Sequence, residues 1–100
     1  MDARKMERNA RRASALLRAL GNERRLMILC HLASGERSVG ELQRLIGLSQ
    51  SALSQHLARL RRERLVRTRR ESQTIYYALD GGEAAAVIGA LDRLYRGGGA

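Results

Sequence analysis

The sequence predicts a mainly α-helical fold with one small β-hairpin, in the order α-α-α-α-β-β-α. Three observations carry this. Two short helical patterns meet at Ile46-Gly47-Leu48-Ser49, where a helix stop and a helix start stand side by side. A period-two stretch follows, LVRTRR and then QTIYYAL, with polar residues between. Elsewhere the apolar residues recur at helical spacing, and proline, which would kink a helix, is absent.

Residues 2 to 20 read as the first helix, with Asp2 near its start. Met6, Ala10, Ala13, Leu17 and Leu20 step by four and three, a narrow apolar stripe. Arg4, Lys5, Arg8, Arg11 and Arg12 cover the remainder, so the stripe suits docking on a partner helix. Gly21 ends this helix and Asn22 caps the next, residues 23 to 33, which is apolar nearly all round after its first turn. That makes it the buried central helix. Ser34 to Arg37 is then a short loop.

The third helix opens on Ser38, with Glu41 at the spacing of a reciprocal cap. Gly47 supplies a left-handed stop, Ser49 caps the fourth helix, and Leu48 is placed to staple onto Leu53. Along the fourth helix Leu53, Leu57 and Leu60 form one apolar face. The opposite side carries Gln50, Ser51, Ser54, Gln55 and Arg59, with His56 beside them. Amides, hydroxyls and a guanidinium on one exposed face are the chemistry that reads base edges in the major groove. This is the pattern of a helix-turn-helix with its recognition helix second. The hairpin behind it, turning near Glu71-Ser72, is then a wing. Asp80 and Glu83 repeat the reciprocal-cap spacing and start a last helix, whose apolar face is Ala84, Val87, Ile88, Leu91, Leu94 and Tyr95.

Composition narrows the function. One hundred residues hold one domain, placed at 1–96, with a flexible glycine-rich tail at 97–100. The formal net charge of +9 calls for a polyanionic partner, nucleic acid first. A membrane surface is not expected, since no helix is both strongly cationic and fringed by bulky aromatics. A single cysteine excludes an internal disulfide, and with no signal peptide evident the chain is expected in the cytoplasm. No Ser-His-Asp set, paired carboxylates or phosphate-binding glycine loop is present, so an enzyme is not expected.

Gln50, Ser51, Ser54, Gln55 and His56 point to bases; Arg59, Arg61, Arg67, Arg69 and Arg70 point to phosphates, the wing arginines to the adjacent minor groove. The stripes at the two ends of the chain are apolar beyond what one small core needs. They are assigned to a homodimer through Met6, Ala10, Ala13, Leu17, Leu20, Val87, Leu91, Leu94 and Tyr95. The competing class is a winged-helix module on RNA or an acidic protein; RNA's deep, narrow major groove would not admit the recognition helix.

LGNERRLMIL (Leu20 to Leu29), SVGEL (Ser38 to Leu42), GLSQSALSQHLARLR (Gly47 to Arg61) and LV followed by QTIYYAL together resemble the ArsR family of small dimeric winged-helix repressors. The resemblance covers roughly residues 16 to 95, with one small departure at Gln43, where the family more often has a small residue. It implies a homodimer joined by the first and last helices, a palindromic double-stranded operator, and release by a signal. The metal-sensing positions of the family fall on Ser38 and Gly40, or on a last helix that has Asp92 but no histidine, so no metal or other cofactor is expected. The run SQSALSQHL with ILC and QTIYY most resembles the thiol-responsive, BigR/HlyU-like branch. That branch pairs a cysteine at the position of Cys30 with a second one, which falls here on Arg96. Two readings of Cys30 stay open. It is a small buried apolar residue, or a single thiol sensing an oxidant or sulfur species and activated if an arginine such as Arg96 lies near.

Overall fold

Local capping decides where most of these helices begin and end. The computed structural model describes residues 1–96; the expected tail at 97–100 lies outside the described residues. Helix α1 runs Ala3–Leu20 and α2 runs Glu23–Ala33. The Asp2 carboxylate accepts from the Arg4 backbone N–H at 2.9 Å, and the Asn22 side chain accepts from that of Arg25 at 3.0 Å. Helix α3 (Val39–Ile46) opens on the full reciprocal cap. Ser38 Oγ accepts from Glu41 N at 3.1 Å, and Glu41 accepts from Ser38 N at 2.9 Å. Gly47, at φ +78°, ends it in the left-handed region that glycine enters without a Cβ clash. Helix α4 (Gln50–Arg62) starts three residues later, capped by Ser49 Oγ on the Ala52 N–H.

The end of α4 is less conventional. Leu65 N–H bonds the Leu60 carbonyl and Arg64 N–H bonds the Arg61 carbonyl, both at 3.0 Å, while Arg64 sits at φ +59°. This is a Schellman motif with arginine where glycine is usual. Leu60 and Leu65, its hydrophobic pair, are both buried. Arg64→Gly is therefore expected to raise stability by about 1 kcal/mol, read from the urea midpoint. An unchanged or lower midpoint would show that this turn carries no strain.

Strands β2 (Val66–Glu71) and β3 (Thr74–Leu79) make the expected hairpin, with the turn at Ser72-Gln73, one residue later than expected. A two-residue strand at Arg37–Ser38, β1, adds to the outer edge of β3, in sheet order β1-β3-β2, all antiparallel. It replaces the end of the expected loop; two residues are too few to show alternation. The last helix, α5 (Glu83–Tyr95), departs from its expected cap. Gly82 holds the N-cap position with no side-chain bond, and Glu83 is the first helical residue. Asp80 lies too far upstream to cap. Its N–H bonds Leu65 O at 2.9 Å, closing the base of the hairpin.

The core is aliphatic: Ile28, Leu29, Leu42, Leu53, Leu57 and Leu60 are its largest fully buried side chains. The central role of α2 holds on one face, through Ile28, Leu29 and Leu32, whereas Met27 on another face is 41% exposed. Leu20, assigned to the dimer stripe, is instead buried in this subunit's own core beside Ala19. The rest of the stripe is more open: Met6 and Ala10 are exposed, Ala13 half-buried, and Leu17 is 62% exposed. On α5, Val87 and Leu91 are half-buried while Leu94 and Tyr95 are 68% and 67% exposed. Arg12 pairs with Glu83, so the two terminal helices meet at the start of α5.

Candidate nucleic-acid interface

Helix α4 is amphipathic in the strict sense. Leu53, Leu57 and Leu60 fix one face against α2 and α3, which forces the other outward. Gln50, Ser51, Ser54 and Gln55 are all exposed, and their side chains make no hydrogen bond among the described residues. Ser49 differs: its hydroxyl is used by the cap. Alongside α4 a groove runs to β3, lined by Gln50, Ser54, Arg61, Arg62, Ile75 and Tyr77.

Strand register sorts the wing arginines. Residues directly paired across β2 and β3 share a face. Arg70 pairs with Ile75, which lines the α4 groove, so Arg70 stands on the α4 side, exposed and without an acidic partner among the described residues. Arg69 pairs with Tyr76 and stands on the opposite face, its guanidinium 4.5 Å from that ring. There it bonds Glu36 with two nitrogens, at 2.7 and 3.1 Å, and Glu71 at 2.6 Å. The hydrogen bond from Arg69 holds the Glu36 carboxyl below its ordinary range. Arg69, expected on phosphate, is thus a clasp between the wing and the loop before β1. Arg67 is also engaged away from the α4 side, donating to the Leu79 carbonyl at 2.7 Å and facing Asp80 at 3.9 Å.

Two residues of α4 are less open than the rest of its outward side. Arg59 is half-buried and lies 3.8 Å from Glu63. His56, expected on bases, turns toward α2 and is half-buried. Burial lowers its pKa, and the neighbouring Arg25 and Arg24 lower it further. Arg61 is exposed as expected. Arg62, also exposed and beside it in the groove, was not singled out from the sequence. Its spacing from Gln55 and Arg59 on one helical stripe was the available signal. Arg25 was missed for a different reason, since its partners belong to another helix. Its guanidinium donates to the carbonyls of Ala19 at 2.8 Å and Arg18 at 3.1 Å, closing the end of α1.

Cys30 lies on the far side of α2, half-buried in an apolar groove of about 760 Å³ with Leu26, Ile88, Leu91 and Tyr95. Burial pushes its thiol up, toward the unreactive form. Arg96, the residue that was to activate it, is paired with Asp92. Among the described residues no group of His, Cys, Asp and Glu is arranged to hold a metal ion, and no helix is long and apolar enough to cross a membrane.

Residues 22–68 match the family described as bacterial regulatory protein, arsR family. The transcriptional activator HlyU of Vibrio cholerae is 56% identical over 95 residues, spanning 95% of this chain and 88% of its own length. The crystal structure of the transcriptional repressor BigR from Xylella fastidiosa superposes with a TM-score of 0.91 at 40% identity, covering 97% of this chain and 99% of that one. A homodimeric winged helix-turn-helix DNA-binding domain from Mycobacterium bovis gives a TM-score of 0.79 at 31% identity, over 94% of this chain and 86% of its own. Shared sequence over almost the whole length, on the same arrangement of helix-turn-helix and wing, makes this chain a member of the arsR family of bacterial regulatory proteins.

Proposed function

We propose that the chain is a sequence-specific repressor that acts as a homodimer on a palindromic duplex operator, in the bacterial cytoplasm. The observation that carries this is the face of α4: four amide and hydroxyl side chains, exposed and unused by the protein, held opposite a fully buried leucine stripe. Gln55 is suited to the N6 and N7 edge of adenine, and the serines adapt to either base. Arg61, Arg62 and Arg70, on the same side, supply phosphate contacts that fix the register. The exposed apolar residues of α1 and α5 support pairing of two copies, and a relative is homodimeric. Two-fold symmetry then sets the recognition helices one DNA turn apart, ~34–36 Å. Occupancy excludes polymerase where the operator overlaps a promoter. An activator and a repressor among the relatives fit one binding mode used at differently placed operators.

Gln55→Ala is expected to cost about 1–3 kcal/mol of operator affinity and to relax preference at one base pair. Arg70→Ala is expected to weaken all sequences alike and to reduce the salt slope by about one per subunit. Binding titrations on operator and random duplex separate the two. Equal losses on both duplexes for Gln55→Ala would remove it from the reading set, and preferential binding of RNA would overturn the duplex reading.

The half-buried Cys30, its thiol pushed up by burial, and the Arg96–Asp92 pair favour a regulator that does not sense sulfur species through this thiol. A persulfide donor is accordingly expected to leave operator affinity within about twofold. A larger release that Cys30→Ser abolishes would restore the one-thiol sensor.

A further inference from the structure

Between α2 and the middle of α4 lies a cleft of about 390 Å³ lined by Arg25, Gln55, His56, Ala58, Arg59 and Arg62. Three guanidiniums and an imidazole converge on it, and no carboxylate lines it. Of the lining guanidiniums, Arg59 alone has an acidic partner among the described residues, Glu63 at 3.8 Å. From α2, Arg25 and Arg24 act on His56; from its own helix, Arg59 and Arg62 line the same cleft. Arg25 is not free to swing away, because its guanidinium is anchored on the Ala19 and Arg18 carbonyls. Arg24 is held too, with Nη1 3.4 Å from the Ile46 carbonyl. The cleft therefore concentrates positive charge, of which Glu63 offsets only a part, through Arg59. It adjoins Gln55, on the proposed reading face.

We propose that this cleft seats a phosphodiester group of the bound duplex and that His56 takes up a proton as the phosphate enters, so that DNA binds more tightly as pH falls. The inference rests on the duplex-binding reading given above. In the free protein partial burial, and then the neighbouring cations Arg25 and Arg24, disfavour the imidazolium. A phosphate among the same groups reverses the sign of the local field and supplies an acceptor for the imidazolium N–H. The pKa of His56 then lies higher in the complex than in the free subunit. The sign follows: affinity is greatest below the free-state pKa, falls between the two values, and is flat above the bound-state value. Each unit of separation is worth about tenfold per half-site.

The test uses the full chain and a 30-base-pair duplex of random sequence, because phosphate contacts do not require an operator. Anisotropy titrations are expected to show affinity falling about tenfold or more from pH 5.5 to 7.5, a dependence that His56→Gln removes and His31→Gln keeps. NMR titration of the His56 imidazole, the second histidine being removed by His31→Gln, is expected to show its pKa rising when duplex saturates the protein. Should His56→Gln fail to fold, that titration decides alone. Binding with an unmoved His56 pKa, or with the same pH dependence in His56→Gln as in wild type, overturns the seat and leaves the duplex reading standing. Absence of duplex binding at low salt at both pH values overturns the two together.

Discussion

Leu17→Glu is expected to yield folded single subunits that bind the operator about 10²- to 10⁴-fold more weakly than the dimer. Leu17 is 62% exposed on α1, so the substitution removes little from the subunit's own core. It places a carboxylate in the middle of the stripe formed by Met6, Ala10 and Ala13, where a paired copy would have to desolvate it. The large factor arises because each subunit carries one recognition helix. Linking two through an interface makes the second half-site contact intramolecular, and separating them returns it to bulk concentration. Sedimentation equilibrium and mobility-shift titrations check the two halves of the prediction. A variant that remains dimeric, or a monomer with undiminished affinity, would mean that α1 is not part of the interface.

Leu53→Ala is expected to cost about 2–5 kcal/mol, a large share of the roughly 5–15 kcal/mol that holds a domain together. Leu53 has no accessible surface, so deleting its branched end leaves a cavity that the neighbouring leucines fill only in part. It sits on the far side of α4 from Ser51 and Gln55, so the cost falls on stability rather than on base reading. Urea unfolding gives the first quantity. Operator preference measured well below the transition gives the second, expected to be unchanged. A cost below about 1 kcal/mol would mean that α4 is packed far more loosely than its burial indicates.

The helix-turn-helix was legible because its signals are local. Ser38 with Glu41, Gly47, and Ser49 with Ala52 act within one turn, and nothing distant competes for them. The same local motif misled at Asp80, whose N–H is taken by Leu65 across the base of the hairpin. Strand β1 was invisible because it exists only as an addition to the edge of β3. Helical spacing marked the stripe on α1 but does not say what covers it, which is why Leu20 was placed on the dimer face and not in the core. The wing arginines divide in the same way. Alternation in β2 was readable and by itself separates Arg70 from Arg67 and Arg69. The capture of Arg69 by Glu36 joins residues far apart in sequence, and no spacing announces it.

That clasp carries a mechanical consequence. A hairpin standing alone would sample many tilts, and each would be given up on meeting a ligand. Here the arm is strapped to the segment that leads into α3, through paired nitrogen–oxygen bonds and a stacked phenol ring. Its pitch relative to the reading cylinder is set at folding, before any encounter. Little motional freedom is left to surrender, so a contact made by the arm with a target would carry less entropic loss.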